Sequence, residues 1–210
     1  MKEAQVPDIA VSRLPVYLRA LEFLAMEGVE TVSSAELAER LGLNPAQIRK
    51  DLSYFGSFGQ QGKGYNVKIL VENLRQILNL EREWEVALVG VGDLGRALVH
   101  YQGFKGKGFR LVLLFDNNPQ KIGMKVGDLE IMDSALIPKL IPEMGIKIAI
   151  IAVPPQEAQK VADVLVSAGV EAILNYAPVN LKVPPHVRVH YIDPIVGLRH
   201  MTYYLPRSQH

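Results

Sequence analysis

Val86-Ala87-Leu88-Val89-Gly90-Val91-Gly92-Asp93-Leu94-Gly95 runs from four apolar residues straight into a Gly-x-Gly-x-x-Gly loop, and Arg96-Ala97-Leu98-Val99-His100 follows. A short continuous apolar run reads as a parallel strand covered on both faces. The turn out of that strand asks for a tight bend at Gly90, close approach of a pyrophosphate at Gly92 and close helix packing at Gly95. The helix behind it offers free N–H groups and the positive end of its dipole to phosphate. Gly90, Val91, Gly92, Asp93, Leu94 and Gly95 are therefore candidate cofactor-binding residues. Asp93 stands out as an anion inside a phosphate loop, acceptable if its side chain points to solvent.

Further apolar runs, Leu111–Phe115 and Ile148–Val153, alternate with helix-length segments, notably Gln156 to Ala168. This alternation predicts a Rossmann-like, doubly wound parallel α/β sheet. Asp116 ends the second strand, 21 residues beyond Gly95, where a carboxylate accepts from the adenine ribose hydroxyls and disfavours a 2′-phosphate. Asn117-Asn118-Pro119 bring no Arg beside it, although Lys121 is near, so NADH or NAD⁺ is the expected cofactor. The other reading of Asp116 is an Asx-turn ahead of Pro119. Val153-Pro154 and Asn175-Tyr176, at later strand ends, are candidate walls of a nicotinamide pocket or ordinary turns. An apolar pocket would penalise the cationic oxidised ring.

The first 80 residues follow another pattern. Leu14, Val16, Leu18, Leu21 and Leu24 recur near helical spacing until Gly28. Ser33-Ser34 precede a second helix ending at Gly42, and Asn44-Pro45 open a third that runs to Phe55. Two short helices across Gly42-Leu43-Asn44 have the spacing of a helix-turn-helix. Gly56 to Tyr65 interleaves glycines, aromatics and Lys63, as a hairpin tip does. Helix, helix, helix and hairpin make a winged helix, which either puts one helix in the major groove and a wing on phosphate or minor groove or serves as a protein interaction module. Val67 to Leu80 reads as a helix joining two domains. The expected division is 1–80 winged-helix domain, 81–193 Rossmann-like domain, and 194–210 C-terminal helix and tail.

Composition narrows the classes. The chain has 210 residues, 49% hydrophobic and 21% charged, and no cysteine, which excludes a disulfide framework, thiolate zinc and thiol catalysis. Net charge is only +1, but between Arg40 and Arg75 six basic residues face two acidic ones. Such a cluster is either a solvated face or a DNA-binding one. The five histidines show no metal-ligand spacing, and no apolar run reaches the roughly 18 residues of a membrane span or forms a signal peptide at Met1–Asp8. A cytoplasmic protein without metal or membrane partner is expected. Asp193-Pro194 open a last helix with Ile195, Leu198, Met201 and Leu205 on one side, suited to packing on its own sheet or on a partner subunit.

The string Arg49-Lys50-Asp51-Leu52-Ser53-Tyr54-Phe55-Gly56, the wing ending Gly62-Lys63-Gly64-Tyr65 and the loop Gly90 to Gly95 together resemble the Rex family of bacterial redox-sensing transcriptional repressors. The resemblance covers nearly the whole chain. It implies a homodimer, a C-terminal helix swapped between subunits, and double-stranded operator DNA as partner, released when NADH binds and retained with NAD⁺. It also implies that Arg49 and Lys50 are the recognition-helix cations. The DNA-facing set on this reading is Asn44, Gln47, Arg49, Lys50, Ser53, Tyr54, Gln61 and Lys63. Family wings carry a cation just before Gly-x-Gly-Tyr, where this chain has Gln61, with Lys63 two residues later. Arg19, Tyr101 and Asp193 are implied as a closure switch; read by themselves they are a solvated helix residue, a packing residue and an N-cap. No catalytic residue is expected. The competing reading is a small NAD-dependent oxidoreductase with an accessory helical domain, although little chain remains for a substrate domain.

Overall fold

Residues 6–60 and 63–206 are described by the computed structural model, and the chain divides into two units, Met1–Arg82 and Glu83–His210. Helix α1 (Asp8–Met26) begins six residues before Leu14, where the apolar pattern starts, and continues through Pro15. Its buried Leu14, Tyr17, Leu18, Leu21 and Leu24 follow the 3.6-residue period.

Helix α2 (Ser34–Leu41) starts on a capping box: Glu36 N–H donates to Ser33 Oγ at 3.1 Å, and Ser33 N–H donates to Glu36 Oε2 at 2.7 Å. Gly42, at φ +63°, ends it in the left-handed conformation. Helix α3 (Pro45–Ser53) starts on Asn44, whose Oδ1 accepts from Ala46 N–H at 2.8 Å.

A strand the sequence did not announce, β1 (Thr31–Val32), pairs with β3 (Gly64–Asn66), which also pairs with β2 (Gly59–Gln60), giving a three-stranded antiparallel sheet. Helix α4 (Val67–Ile77) stops short of the expected Leu80 and packs on α1. Leu14, Leu21, Leu37, Ile48, Leu52, Leu70 and Leu74 form the core of this winged helix. Burying one such side chain contributes roughly 1.5–3 kcal/mol.

In the second unit the strands are β4 (Trp84–Val89), β5 (Phe109–Asp116), β6 (Lys125–Val126), β7 (Leu129–Asp133), β8 (Ile148–Ile151), β9 (Ala172–Asn175) and β10 (Arg188–Tyr191). Their order is β10-β9-β8-β4-β5-β7-β6, parallel except for β6. Without β6 this is the Rossmann order 6-5-4-1-2-3.

Period-two alternation along β4 places Ala87 and Val89 against α6 (Ile137–Glu143) and α7 (Pro155–Ser167). Val86 and Leu88 face the opposite cluster, which holds Leu98 of α5 (Asp93–Val99). Strand β8 ends two residues before Val153, because Pro154 and Pro155 have no N–H to give a ladder and Pro155 instead starts α7.

Helix α8 (Pro194–Thr202) ends before Leu205, so Leu205 is not part of the helical face expected of it. Every residue from Pro194 to Pro206 is exposed. Among the described residues no helix is long and apolar enough to cross a membrane, and no cluster of three or more His, Asp or Glu is placed to hold a metal.

Candidate functional site

Strand β4 is flanked by β5 on one side and β8 on the other, and the chain reverses its winding direction there. Ligands of doubly wound sheets bind at the carboxyl ends of the strands at such a switch point. A cavity of about 620 Å³ opens at that place, lined by Gly90 and Gly92 after β4, Asp116 to Asn118 at the end of β5, and Val153-Pro154 after β8.

The glycine loop shows why it is built of glycine. Gly90 sits at φ +97°, and a Cβ there would stand 2.5 Å from the Ala152 carbonyl oxygen. On Gly95 a Cβ would stand 2.1 Å from the Gly90 carbonyl oxygen, so α5 is held against the turn only because that atom is missing. At Gly92 the same direction is open space. These residues fit a dinucleotide: room at Gly92 for a pyrophosphate and a carboxylate at the end of β5 for ribose hydroxyls.

Asp116 makes the Asx-turn that the sequence offered as one of its two readings, and it makes two further bonds. Its Oδ1 accepts from Asn118 N–H at 2.9 Å, which is an Asx-turn, while Oδ2 accepts from Val91 N–H at 2.9 Å and from Lys121 Nζ at 3.0 Å. The residue is 6% exposed yet lines the cavity. Burial pushes its carboxyl up, but the Asn118 amide, Lys121 and the Val91 amide together outweigh that and hold it below the usual carboxylate range.

Not every expected wall residue reaches the cavity. Val91 is buried in the core, Gly95 lies beneath Gly90, and Asp93 and Leu94 open α5 toward solvent. Asn175 is fully buried with its amide closed on its own turn, accepting from Ala177 N–H and donating to the Ala177 and Val179 carbonyls. Tyr176 packs with the core cluster on the α5 side of the sheet; burial, then neighbouring Tyr101, raises its phenol. The far wall instead comes from Ile137, Pro138, Val161 and Val164. Val161 and Val164 were signalled only by the apolar spacing of the helix after Pro155, while Ile137 and Pro138 come from α6.

In the first unit, a cleft of about 440 Å³ separates the start of α2 from α3 and the hairpin, lined by Ser33, Ser34, Arg49, Ser53, Phe58 and Tyr65 among others. Arg49 is exposed and donates to Ser34 Oγ at 2.8 Å. Lys50 and Lys63 are exposed. Ser53 donates back to the Lys50 carbonyl at 2.7 Å, and half-buried Tyr54 caps α3. Asn44 is spent on the cap of α3, and Gln47 donates inward to Asp51 at 2.7 Å. Gln61 lies outside the described residues.

Of the remaining candidates, Arg19 lies on the exposed face of α1. Tyr101 is 60% exposed and meets Phe104 edge to face. Asp193 caps α8, accepting from Ile195 N–H at 2.9 Å. Sequence reasoning missed Asp51, a charge on the apolar face that Ile48 and Leu52 define; the signal was the need of a buried carboxylate for a partner.

Two family models match: CoA binding domain over residues 81–179, and "Putative DNA-binding protein N-terminus" over residues 5–53. A protein of Chloroflexus aurantiacus (strain ATCC 29366 / DSM 635 / J-10-fl) named redox-sensing transcriptional repressor Rex is 56% identical over 203 residues, covering 97% of this chain and 96% of its own. The chain belongs to the Rex family. Relatives in the family carry the name of a transcriptional repressor, not of an enzyme, so the oxidoreductase reading is set aside.

The crystal structure of RSP with β-NAD⁺ and operator DNA superposes with a TM-score of 0.89 at 41% identity, covering 94% of this chain and 91% of that one. RSP with β-NADH gives 0.86 at 38% identity, covering 95% and 94%. The Rex fold thus accounts for both units, the winged helix and the Rossmann-like sheet.

Proposed function

We propose that this chain is a redox-sensing transcriptional repressor that binds operator DNA through its winged helix and lets go when NADH occupies the cavity of its Rossmann sheet. The observation that carries this reading is the joining in one chain of a winged helix with Arg49, Lys50 and Lys63 facing outward and a dinucleotide cavity ending on Asp116. Likeness to RSP, solved with β-NAD⁺ and operator DNA and with β-NADH, supports it.

Winged-helix DNA binding is assigned to 1–80, cofactor binding to 81–193 and dimerisation to 194–210, in a cytoplasmic homodimer. The exposed apolar side chains of α8, Ile195, Val196, Leu198 and Met201, support a subunit contact, since apolar patches of that kind mark association surfaces. A two-fold dimer reads an inverted repeat, and a small rotation between its two winged helices spoils the match to both half-sites.

Gly90 to Gly95 would hold the pyrophosphate and Asp116 the ribose hydroxyls. The apolar neighbourhood of Val153 and Pro154 disfavours the positive charge of an oxidised nicotinamide. When bound, the cofactor supplies a redox-dependent charge rather than a reaction. Arg19, Tyr101 and Asp193 are the residues assigned to the closing of the switch.

The test is an electrophoretic mobility shift with an A·T-rich inverted-repeat duplex and its single half-site, with and without NADH. Binding of the full repeat but not the half-site, abolished by NADH, is expected. Equal binding of half-site and repeat, or indifference to NADH, would contradict the proposal.

A further inference from the structure

We infer that Asp51 is the positioning residue of the DNA reader: from the buried face of α3 it gathers Arg13 and Tyr17 of α1 with Gln47 of α3, and so fixes the angle at which α3 presents Arg49 and Lys50. The inference rests on the reading of α3 as the recognition helix.

Asp51 is 1% exposed and sits between buried Ile48 and Leu52. Arg13 holds it with two parallel bonds, Nε to Oδ2 at 2.6 Å and Nη2 to Oδ1 at 2.7 Å. The Tyr17 hydroxyl donates to Oδ2 at 2.6 Å, and Gln47 Nε2 donates to Oδ1 at 2.7 Å. Four donors fill the carboxylate's roughly four acceptor sites, and among the described residues no buried side-chain polar atom lacks a partner.

An ion pair whose carboxylate is buried and whose guanidinium is partly exposed, as here, is a poor way to add stability, because desolvation of the carboxylate cancels much of the attraction. What it adds is direction. Leucines let one helix roll on another at little cost, whereas a guanidinium fork on a carboxylate admits one distance and one rotation. Arg13 and Tyr17 stand four residues apart, on one face of α1, so α1 grips Asp51 at two points.

Arg49 and Lys50 precede Asp51 on the same rigid helix. A roll of α3 by about 20° would carry their tips about 2 Å, given a helix radius with side chains of about 5–6 Å. That is enough to lose a bidentate bond to a base edge, while a phosphate contact, being a point-charge attraction, survives it. The network therefore serves sequence discrimination more than DNA affinity as such.

The experiment is fluorescence anisotropy on the full chain at fixed salt, with an A·T-rich inverted-repeat duplex and a scrambled duplex of equal composition, for wild type, Asp51→Asn and Tyr17→Phe. Circular dichroism selects a temperature at which each is folded. Asp51→Asn is expected to lose tenfold or more on the inverted repeat and less than twofold on the scrambled duplex; Tyr17→Phe is expected to lose about threefold on the repeat alone. NADH affinity stays as in wild type. A merely structural role lowers the melting temperature and leaves the ratio between the duplexes untouched, which overturns the inference. If Asp51→Asn does not fold, Tyr17→Phe and Arg13→Lys decide by the same ratio. A wild type without preference for the repeat overturns the underlying reading, and the inference with it.

Discussion

The backbone N–H of Val91 donates to Oδ2 of Asp116 at 2.9 Å, so the end of β5 holds the glycine loop that follows β4. Replacing Asp116 by Ala removes that tie, the Asx-turn and the proposed ribose acceptor together. NADH affinity is expected to fall roughly tenfold or more, about 1.4 kcal/mol per factor of ten. Lys121, released from its 3.0 Å pairing with Asp116, is left lining the cavity beside the proposed ribose position, so the preference for NADH over NADPH should narrow. Titration calorimetry with both cofactors reads this; an unchanged NADH affinity would remove Asp116 from the site.

A single methyl group tests the packing of the loop. Gly95→Ala brings a Cβ to within 2.1 Å of the Gly90 carbonyl oxygen, and overpacking of this kind costs typically 1–3 kcal/mol. A lower melting temperature and weaker NADH binding are expected together. NADH binding equal to wild type would show that the loop can shift without harm.

How much of this was legible in the sequence depended on distance along the chain. The glycine loop, the cap of Ser33 and the Asn44-Pro45 start of α3 are local constraints, written in the residues that obey them. Strand β1 carries no pattern in its two residues and exists because β3 pairs with it. Ile137 and Val161 become a cavity wall only when α6 and α7 lie on the sheet. Asn175 read as a wall because a strand ended there, yet the amide closes its own turn. The partner that Asp51 needed, Arg13, lies 38 positions earlier, beyond the reach of any local pattern.

The same carboxylate gives a pH dependence. Burial opposes the charge of Asp51, but the hydrogen bonds from Arg13, Tyr17 and Gln47 prevail and hold its carboxyl below the ordinary range. A group depressed in the folded state stabilises above its unfolded pKa, about 3.9, and the contribution is lost as pH falls through the folded value. Tyr17, pushed up to about 12 by burial and then by Asp51, acts in the opposite sense: its contribution is present below pH 10 and fades toward 12. The melting-temperature gap between wild type and Asp51→Asn should therefore narrow below about pH 4, followed by circular dichroism. A gap that stays constant from pH 7 to 3 would contradict the depressed carboxyl.

Helix α8 exposes Leu198 at 56% and Met201 at 63%. If it joins two subunits, Leu198→Asp with Met201→Asp should convert a dimer to a monomer in sedimentation velocity and abolish binding to an inverted repeat, while the Rossmann unit still takes up NADH. A double variant that sediments as the wild type does would place the subunit contact elsewhere.

The most direct measurement is the anisotropy of a labelled A·T-rich inverted-repeat duplex bound by the chain, titrated at fixed salt with NADH and, separately, with NAD⁺, because salt alone moves such affinities. Linkage requires that whatever factor NADH takes from DNA affinity, DNA takes from NADH affinity. The account predicts release of the duplex by NADH at concentrations where NAD⁺ leaves it bound. Retention of the duplex under saturating NADH would contradict it.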